Sequence, residues 1–426
     1  MPHNAILPTS SRAHTKKDVL VLGAGMVGTC TALQLALRGH SVTLVDRREP
    51  GRETSYGNAG LIQCEAVEPY PFPQDPAVLL RVALKQGADV NYHLDAIPSL
   101  APALGRYWAN SRGARYQRIA REYGQLSSRS VPEHASLIEL ADAGDLVRRD
   151  GYRMVFRTQA GLDASVRTAE RLQRDLGVNF RAMTGDELAV AEPSLKLRLA
   201  GAVHWTDPWS VSDPGELVQR YADLLVRRGG TIARGDALTL RASGAGWQVQ
   251  CEHGAIEAEQ AVVALGPWSD QLIRPLGYRF PLFVKRGYHR HFQPRSGPNL
   301  AIFDAERGYV MVPMKRGVRV TTGAEFARLD APSTPVQMAR AETLARELLD
   351  LPHPVESVPW RGARPCTGDL KPVIGPAPRH KGLWFHFGHG HQGFTMGPVS
   401  ARLLAEQMDG DTTIIDPTPF LPQRFL

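Results

Sequence analysis

The chain has 426 residues, a formal net charge of +7 and an ordinary apolar share of 43%, so about two globular domains are expected. Its basic residues are scattered among acids, with no basic–aromatic block, zinc-finger or RNP-like pattern, which excludes nucleic acid as the expected partner. Cys30, Cys64, Cys251 and Cys366 form no CxxC, so neither a disulfide framework nor a metal site is expected and a cytoplasmic setting is.

Residues 1–16 are polar and proline-bearing without an apolar stretch, and read as a disordered tail rather than a signal peptide. Val19–Leu22 is a short apolar run suited to a buried parallel strand. In the GAGMVG turn that follows, Gly23 allows the tight turn, Gly25 lets a backbone approach a pyrophosphate, and Gly28 lets the helix pack on the strand. The helix begins near Met26, where unpaired N–H groups suit phosphates, and Gly39 ends it. Ser41–Val45 supplies the next strand, and Asp46 at its end can accept hydrogen bonds from an adenosine ribose. Arg47-Arg48 would suit a 2′-phosphate, which Asp46 would repel.

Beyond a polar loop and a proline-rich stretch, residues 77–145 read mostly as helices, with breaks near Pro98, Pro102 and Pro132. A strand at Tyr152–Arg157, a helix at Leu162–Leu176 and a strand at Ala202–Trp205 follow. Ser212-Asp213-Pro214-Gly215-Glu216 has the cap and first-turn proline of a helix start, running to Arg228 and stopping at Gly229–Gly230. Short strands crowd residues 231–264. Then come β-like segments at Phe280–Val284, His289–Phe292, Tyr309–Pro313 and Val318–Thr322, and a helix near Pro335–Leu349. A last strand, Leu383–His386, leads into a glycine–histidine loop and a helix from Thr395 to Met408. No run approaches the roughly twenty apolar residues a membrane span requires. Peripheral contact at the inner face of an acidic membrane is compatible with the charge.

Nucleotide-type units at both ends of the chain, with β-rich segments between, predict two domains that are each discontinuous in sequence. Three further stretches bear on the cofactor. Thr54–Gly60 offers hydroxyls and exposed amides, Ala264-Leu265-Gly266 is a second strand end open to backbone approach, and His389–Gly393 opens a helix whose dipole can stabilise negative charge. Together they fit a simple nicotinamide fold poorly. Arg286, His289, Arg290 and His291 form a basic segment that reads equally as a substrate mouth or a solvated strand face.

The sequence resembles the D-amino-acid oxidase-type FAD-dependent oxidoreductases, and among them the bacterial D-amino-acid dehydrogenases. The motifs that carry this are GAGMVG with Asp46, TSYGNAG at 54–60, VVALGPWSDQL at 262–272, YVMVP with VRVTTGAEF at 309–326, WRGARPCTGDLKPVIG at 360–375 and GHGHQGFTMGP at 388–398. The resemblance spans about Asp18 to Glu406. It implies an α/β fold in which an FAD-binding Rossmann-like domain (residues 17–100, 207–270 and 358–420) is interleaved with an α+β substrate domain (101–206 and 271–357). The substrate domain is expected to rest on a mainly antiparallel sheet.

The resemblance also implies FAD, with the adenosine end on the first turn, Val27, Asp46 and Arg47. Ser55, Asn58, Ala59, Gly60 and Leu61 would lie near the ring and pyrophosphate, Leu238 would contact FAD through its backbone, and Ala264, Gly266 and Trp268 would flank it. His391, Gln392, Gly393, Phe394 and Thr395 would meet the flavin pyrimidine edge. Arg364 and Tyr309 would bind the substrate carboxylate. Some relatives attach flavin through a cysteine, where this chain has Gly362, so non-covalent FAD is expected. The implied reaction is hydride transfer from Cα of a small D-amino or imino acid to flavin N5, with a quinone or similar carrier as acceptor. Alternatives are a D-proline or hydroxyproline dehydrogenase, a 2-hydroxy-acid dehydrogenase using His391 as base, and a non-catalytic electron-relay subunit.

Overall fold

β1 (Asp18–Leu22), α1 (Met26–Leu37) and β2 (Ser41–Asp46) form the expected unit in a computed structural model that describes residues 15–426 apart from residue 86. The tail expected over residues 1–16 therefore lies almost wholly outside the described residues. β1 pairs in parallel with β2 on one side and with Gln260–Val263 on the other. A strand in that position is covered on both faces, which is why Val19–Leu22 is continuously apolar and fully buried. α1 is buried nearly all round, enclosed by the sheet and by the helices Pro214–Arg227 and Gly393–Asp409. Its apolar composition on every side is what such enclosure requires.

The nucleotide-type sheet has eight strands in the order Gly254–Ala258, Gly246–Cys251, Thr231–Ser243, β2, β1, Gln260–Val263, Leu383–Phe387 and Val373–Pro376. Its centre is parallel and its two ends are antiparallel. In such a sheet the ligand crevice lies beyond the carboxyl ends of the parallel strands.

A second, ten-stranded sheet is mainly antiparallel, as expected. Its spine is one continuous strand, Leu282–Phe292, where the sequence suggested two. Pairing with Trp360–Thr367 on one side and with Gly317–Thr321 and Ala324–Phe326 on the other carries it straight through Gly287.

Domain limits differ from the expectation in three places. Val90–Tyr92 and Trp360–Thr367, allotted to the nucleotide unit, are strands of the ten-stranded sheet. The helices Gly113–Ser127 and Ser130–Leu140, allotted to the substrate unit, place Tyr123, Leu126, Leu137 and Ile138 in the core around α1. Long-range pairing decides these memberships, and local pattern does not carry it. The prolines also behave differently. Pro98 and Pro132 sit in the first turns of helices, where a missing N–H costs nothing, and Pro102 is accommodated inside Ile97–Asn110.

Candidate active site

A cavity of about 520 Å³ runs from the carboxyl ends of β1 and β2 to the face of the ten-stranded sheet. Its outer end is a backbone cradle. Gly23 has φ +107°, and a Cβ there would lie 2.5 Å from the Ala264 carbonyl oxygen. A Cβ on Gly28 would stand 1.7 Å from the Gly23 oxygen, so close helix–strand packing depends on that glycine. The start of α1 has no side-chain cap, and the Met26 N–H donates to Ser55 Oγ at 2.9 Å. Asp46 closes the cradle, accepting from the Ala24 and Arg48 amides at 2.6 and 3.1 Å. Burial pushes its pKa up, against the pull of those amides. Arg47 lies over the Trp268 ring at 4.4 Å and pairs with Glu53 at 2.8 Å. A helix start without its own side-chain cap, beside glycines and an acid at the second strand end, fits the diphosphate and ribose of a dinucleotide.

Most sequence-predicted residues line this cavity: Gly23, Gly25, Met26, Val27, Asp46, Arg47, Ser55, Asn58, Ala59, Leu61, Leu238, Ala264, Gly266, Trp268, Arg364, His391, Gly393 and Phe394. Leu238 spends its N–H on Asp236 Oδ1 at 3.0 Å. Four others stand behind the wall. Gly28 packs on Gly23, and Gly60, at φ +70°, backs onto the Val211 carbonyl. Thr395 bridges Leu61 O and the Gln63 N–H at 3.2 Å each, and Gln392 donates to Gln63 Oε1 at 3.2 Å.

Tyr309 is a correction. Gly308 and Val310 line the cavity, so the two-residue period of the strand turns Tyr309 to the opposite face. There it is buried in a separate core and donates to the Leu344 carbonyl at 3.2 Å. The basic segment is a second correction, being neither mouth nor solvated face. Arg286 is fully buried against Glu325, Arg290 pairs with Glu342 at 3.0 Å, and His291 lies between Glu356 and Arg319. His289 is buried and stacks on Trp360.

The inner end is built on the strands Leu282–Phe292 and Trp360–Thr367, where Arg364 stands directly opposite Lys285. The Arg364 guanidinium lies over Gly287, whose absent Cβ would meet Nη2 at 2.6 Å. Nη1 donates to the Gly323 carbonyl at 2.9 Å, and among the described residues no acid pairs with Arg364. Lys285 Nζ donates to the Tyr107 hydroxyl at 2.9 Å, and that hydroxyl donates to the Tyr70 carbonyl at 2.8 Å. His391 meets Tyr70 edge-on at 5.6 Å. Burial, then the charges of Arg364 and Lys285, hold the His391 pKa well below its usual value, so the imidazole is neutral. His389, by contrast, is held by Ser400 at 3.0 Å and has a loop-fixing role.

Sequence reasoning missed Lys285, Tyr70, Tyr107, Gln63 and Tyr152, all on the cavity wall. One signal was present for the lysine, since consecutive cations Lys285-Arg286 in a strand must face opposite sides. Gln63 and Tyr152 donate at 3.0 Å to Oε1 of buried Glu65, whose Oε2 has no partner among the described residues. Burial pushes the Glu65 pKa up to about 7. Among the described residues no helix is long and apolar enough to cross a membrane, and no cluster of His, Cys, Asp or Glu could hold a metal ion.

Comparison with known proteins agrees with this architecture. The family described as FAD dependent oxidoreductase matches residues 18–407. The chain is 31% identical to a D-amino-acid oxidase of Bradyrhizobium diazoefficiens, covering 96% of this chain and 99% of that one. It is 33% identical to a D-amino acid dehydrogenase of Cereibacter sphaeroides, covering 96% and 95%. Among solved structures, a glycine oxidase from Geobacillus kaustophilus superposes with a TM-score of 0.72 at 21% identity, over 97% of this chain and 100% of that one. The chain belongs to the FAD-dependent oxidoreductase family.

Proposed function

We propose that this member of the FAD-dependent oxidoreductase family oxidises the Cα–N bond of a small D-amino or imino acid whose α-carboxylate rests on Arg364. The observation that carries the reading is a guanidinium with no acid partner among the described residues, at the inner end of a cavity whose outer end suits a dinucleotide. Bound FAD supplies the acceptor for the hydride that leaves Cα. Among the described residues the Arg364 guanidinium bonds only Gly323 and keeps other N–H groups free, and a planar guanidinium grips a carboxylate through two parallel hydrogen bonds. Fixing the carboxylate fixes Cα, and orientation is the main contribution such a scaffold makes. Tyr70 lines the cavity with Arg364 and is the phenol available to this clamp in place of Tyr309.

The substrate enters with its amine unprotonated, becomes an iminium as a hydride leaves Cα, and gives a nitrogen proton to water as it departs as an imine. Water then hydrolyses an open-chain product. The D configuration is supported by the names of the two relatives. A cyclic imino acid such as D-proline uses the same clamp. A 2-hydroxy acid needs a base for its hydroxyl, and a histidine held so far below its usual pKa serves poorly. Non-covalent FAD is supported by the cavity lining, which contains no cysteine. Cys366 is buried, and its thiol faces the Arg364 carbonyl. A quinone-type acceptor is supported by the dehydrogenase relative, and attachment to an anionic membrane by the charge of +7.

Anaerobic mixing of the holoenzyme with D-amino acids and 2-hydroxy acids tests the reading. Bleaching of the flavin by D-amino acids supports it. Bleaching by hydroxy acids alone, or by neither class, overturns it. Release of flavin on acid precipitation tests non-covalent binding, and turnover with a quinone analogue against oxygen uptake tests the acceptor.

A further inference from the structure

Lys285 brings a second cation to the inner chamber. It is 6% exposed, and among the described residues its Nζ has one hydrogen-bond partner, the Tyr107 hydroxyl, although an ammonium carries three donors. It stands directly across the strand pair from Arg364, an arrangement that like charges disfavour. Asp89, an acid on the wall near Arg364, is paired with Arg81 at 3.2 Å, and Asp46, Glu53 and Asp236 belong to the nucleotide end. One α-carboxylate compensates one of the two cations and leaves the other.

Burial, with the Arg364 charge, pulls the Lys285 pKa below the ordinary lysine value, a pull that a nearby anion would offset. Nζ lies 4.2 Å from the Tyr107 ring centre and 5.7 and 5.8 Å from those of Phe326 and Phe283. Aromatic faces attract an ammonium while excluding water, and in so dry a site a second anion is worth more than at a surface. The Tyr107 bond to the Tyr70 carbonyl fixes the box to the cavity wall. The Arg364 guanidinium lies over Gly287, two residues along the strand from Lys285, which is a step of roughly 7 Å. Both cations line the same cavity, where the two carboxylates of a short dicarboxylate can each meet one of them.

We propose that the preferred substrate class is the acidic D-amino acids, with the α-carboxylate on Arg364 and the side-chain carboxylate on Lys285. This deepens, and rests on, the assignment of Arg364 to the α-carboxylate. Lys285 is a specificity-determining contact in this scheme and takes no part in breaking the Cα–H bond.

The test uses the holoenzyme and its Lys285→Met form, with anaerobic flavin reduction by D-aspartate, D-glutamate and D-alanine. The parent is expected to favour an acidic substrate over D-alanine by at least about tenfold. Lys285→Met is expected to lose about 100-fold in kcat/KM for that substrate, and its preference for that substrate over D-alanine is expected to fall by at least about tenfold. Equal losses for both substrate types, or a parent without acidic preference, would overturn the assignment. Calorimetric binding of succinate and propionate to the parent gives a readout independent of turnover. Succinate is expected to bind about tenfold more tightly, and equal binding would overturn the second carboxylate site. If succinate is preferred while no D-amino acid bleaches the flavin, the dicarboxylate site stands and the amine-oxidation reading fails.

Discussion

The two faces of the strand Leu282–Phe292 treat positive charge in opposite ways. On one face Arg286 and Glu325 are both fully buried and joined at 2.7 Å, with Tyr288 and Asn91 completing the carboxylate at 2.8 and 3.1 Å. On the cavity face Lys285 and Arg364 have hydrogen bonds to neutral oxygens and no acid among the described residues. A buried cation with its own acid is part of the fold, whereas one without an acid is a place prepared for an anionic ligand. Adjacent positions in sequence thus serve structure and recognition separately.

The largest effect that would sharpen this contrast is on stability. Arg286→Met leaves Glu325 buried without its cation and is expected to cost about 3–5 kcal/mol in denaturant unfolding of the holoenzyme. Removing the acid as well, in Arg286→Met/Glu325→Gln, should recover part of that loss. A cost below about 1 kcal/mol for Arg286→Met would break the contrast.

Glu65 is the converse case, a buried acid without a cation. Its pKa is raised from 4.5 to about 7, so the folded state holds the proton more tightly than the unfolded state. Its contribution is therefore full below the unfolded pKa and is lost as pH rises through about 7. Relative to Glu65→Gln, the parent should lose up to about 3 kcal/mol of stability between pH 4.5 and 8. Parallel stability profiles for the two proteins would show that the Glu65 pKa is not raised on folding and would contradict this.

A smaller, kinetic effect belongs to Gly287→Ala. The added Cβ displaces the Arg364 guanidinium, and kcat/KM for D-alanine should fall about tenfold with little change in stability. The smallest effect belongs to Tyr309→Phe, which removes a bond to Leu344 outside the cavity. About 1 kcal/mol of stability should be lost, with kcat/KM unchanged. A drop in kcat/KM instead would return Tyr309 to the substrate.

The outer end of the cavity was legible because its requirements are local. Gly23, Gly25 and Gly28 at fixed spacing, with Asp46 closing the second strand, state the backbone geometry within 24 residues of chain. Arg364 was legible through family resemblance, and its lack of an acid partner only through the fold. Tyr309 was misplaced because motif matching ignores which side of a strand a residue faces. Lys285, Tyr107 and Tyr70 meet only when a strand, a helix and a proline-rich loop converge, and no short pattern encodes that meeting. The sheet membership of Val90–Tyr92 and Trp360–Thr367 was hidden for the same reason, being set by distant partners.

The central claim is that the Arg364 guanidinium holds the substrate α-carboxylate. Its most direct test is the concentration dependence of anaerobic flavin reduction by D-alanine in Arg364→Met against the parent. D-alanine has no second carboxylate, so it reads the clamp alone. The account predicts that kcat/KM falls by about 100- to 1,000-fold, while the protein stays folded and keeps its flavin. An unchanged concentration dependence in the variant would contradict it.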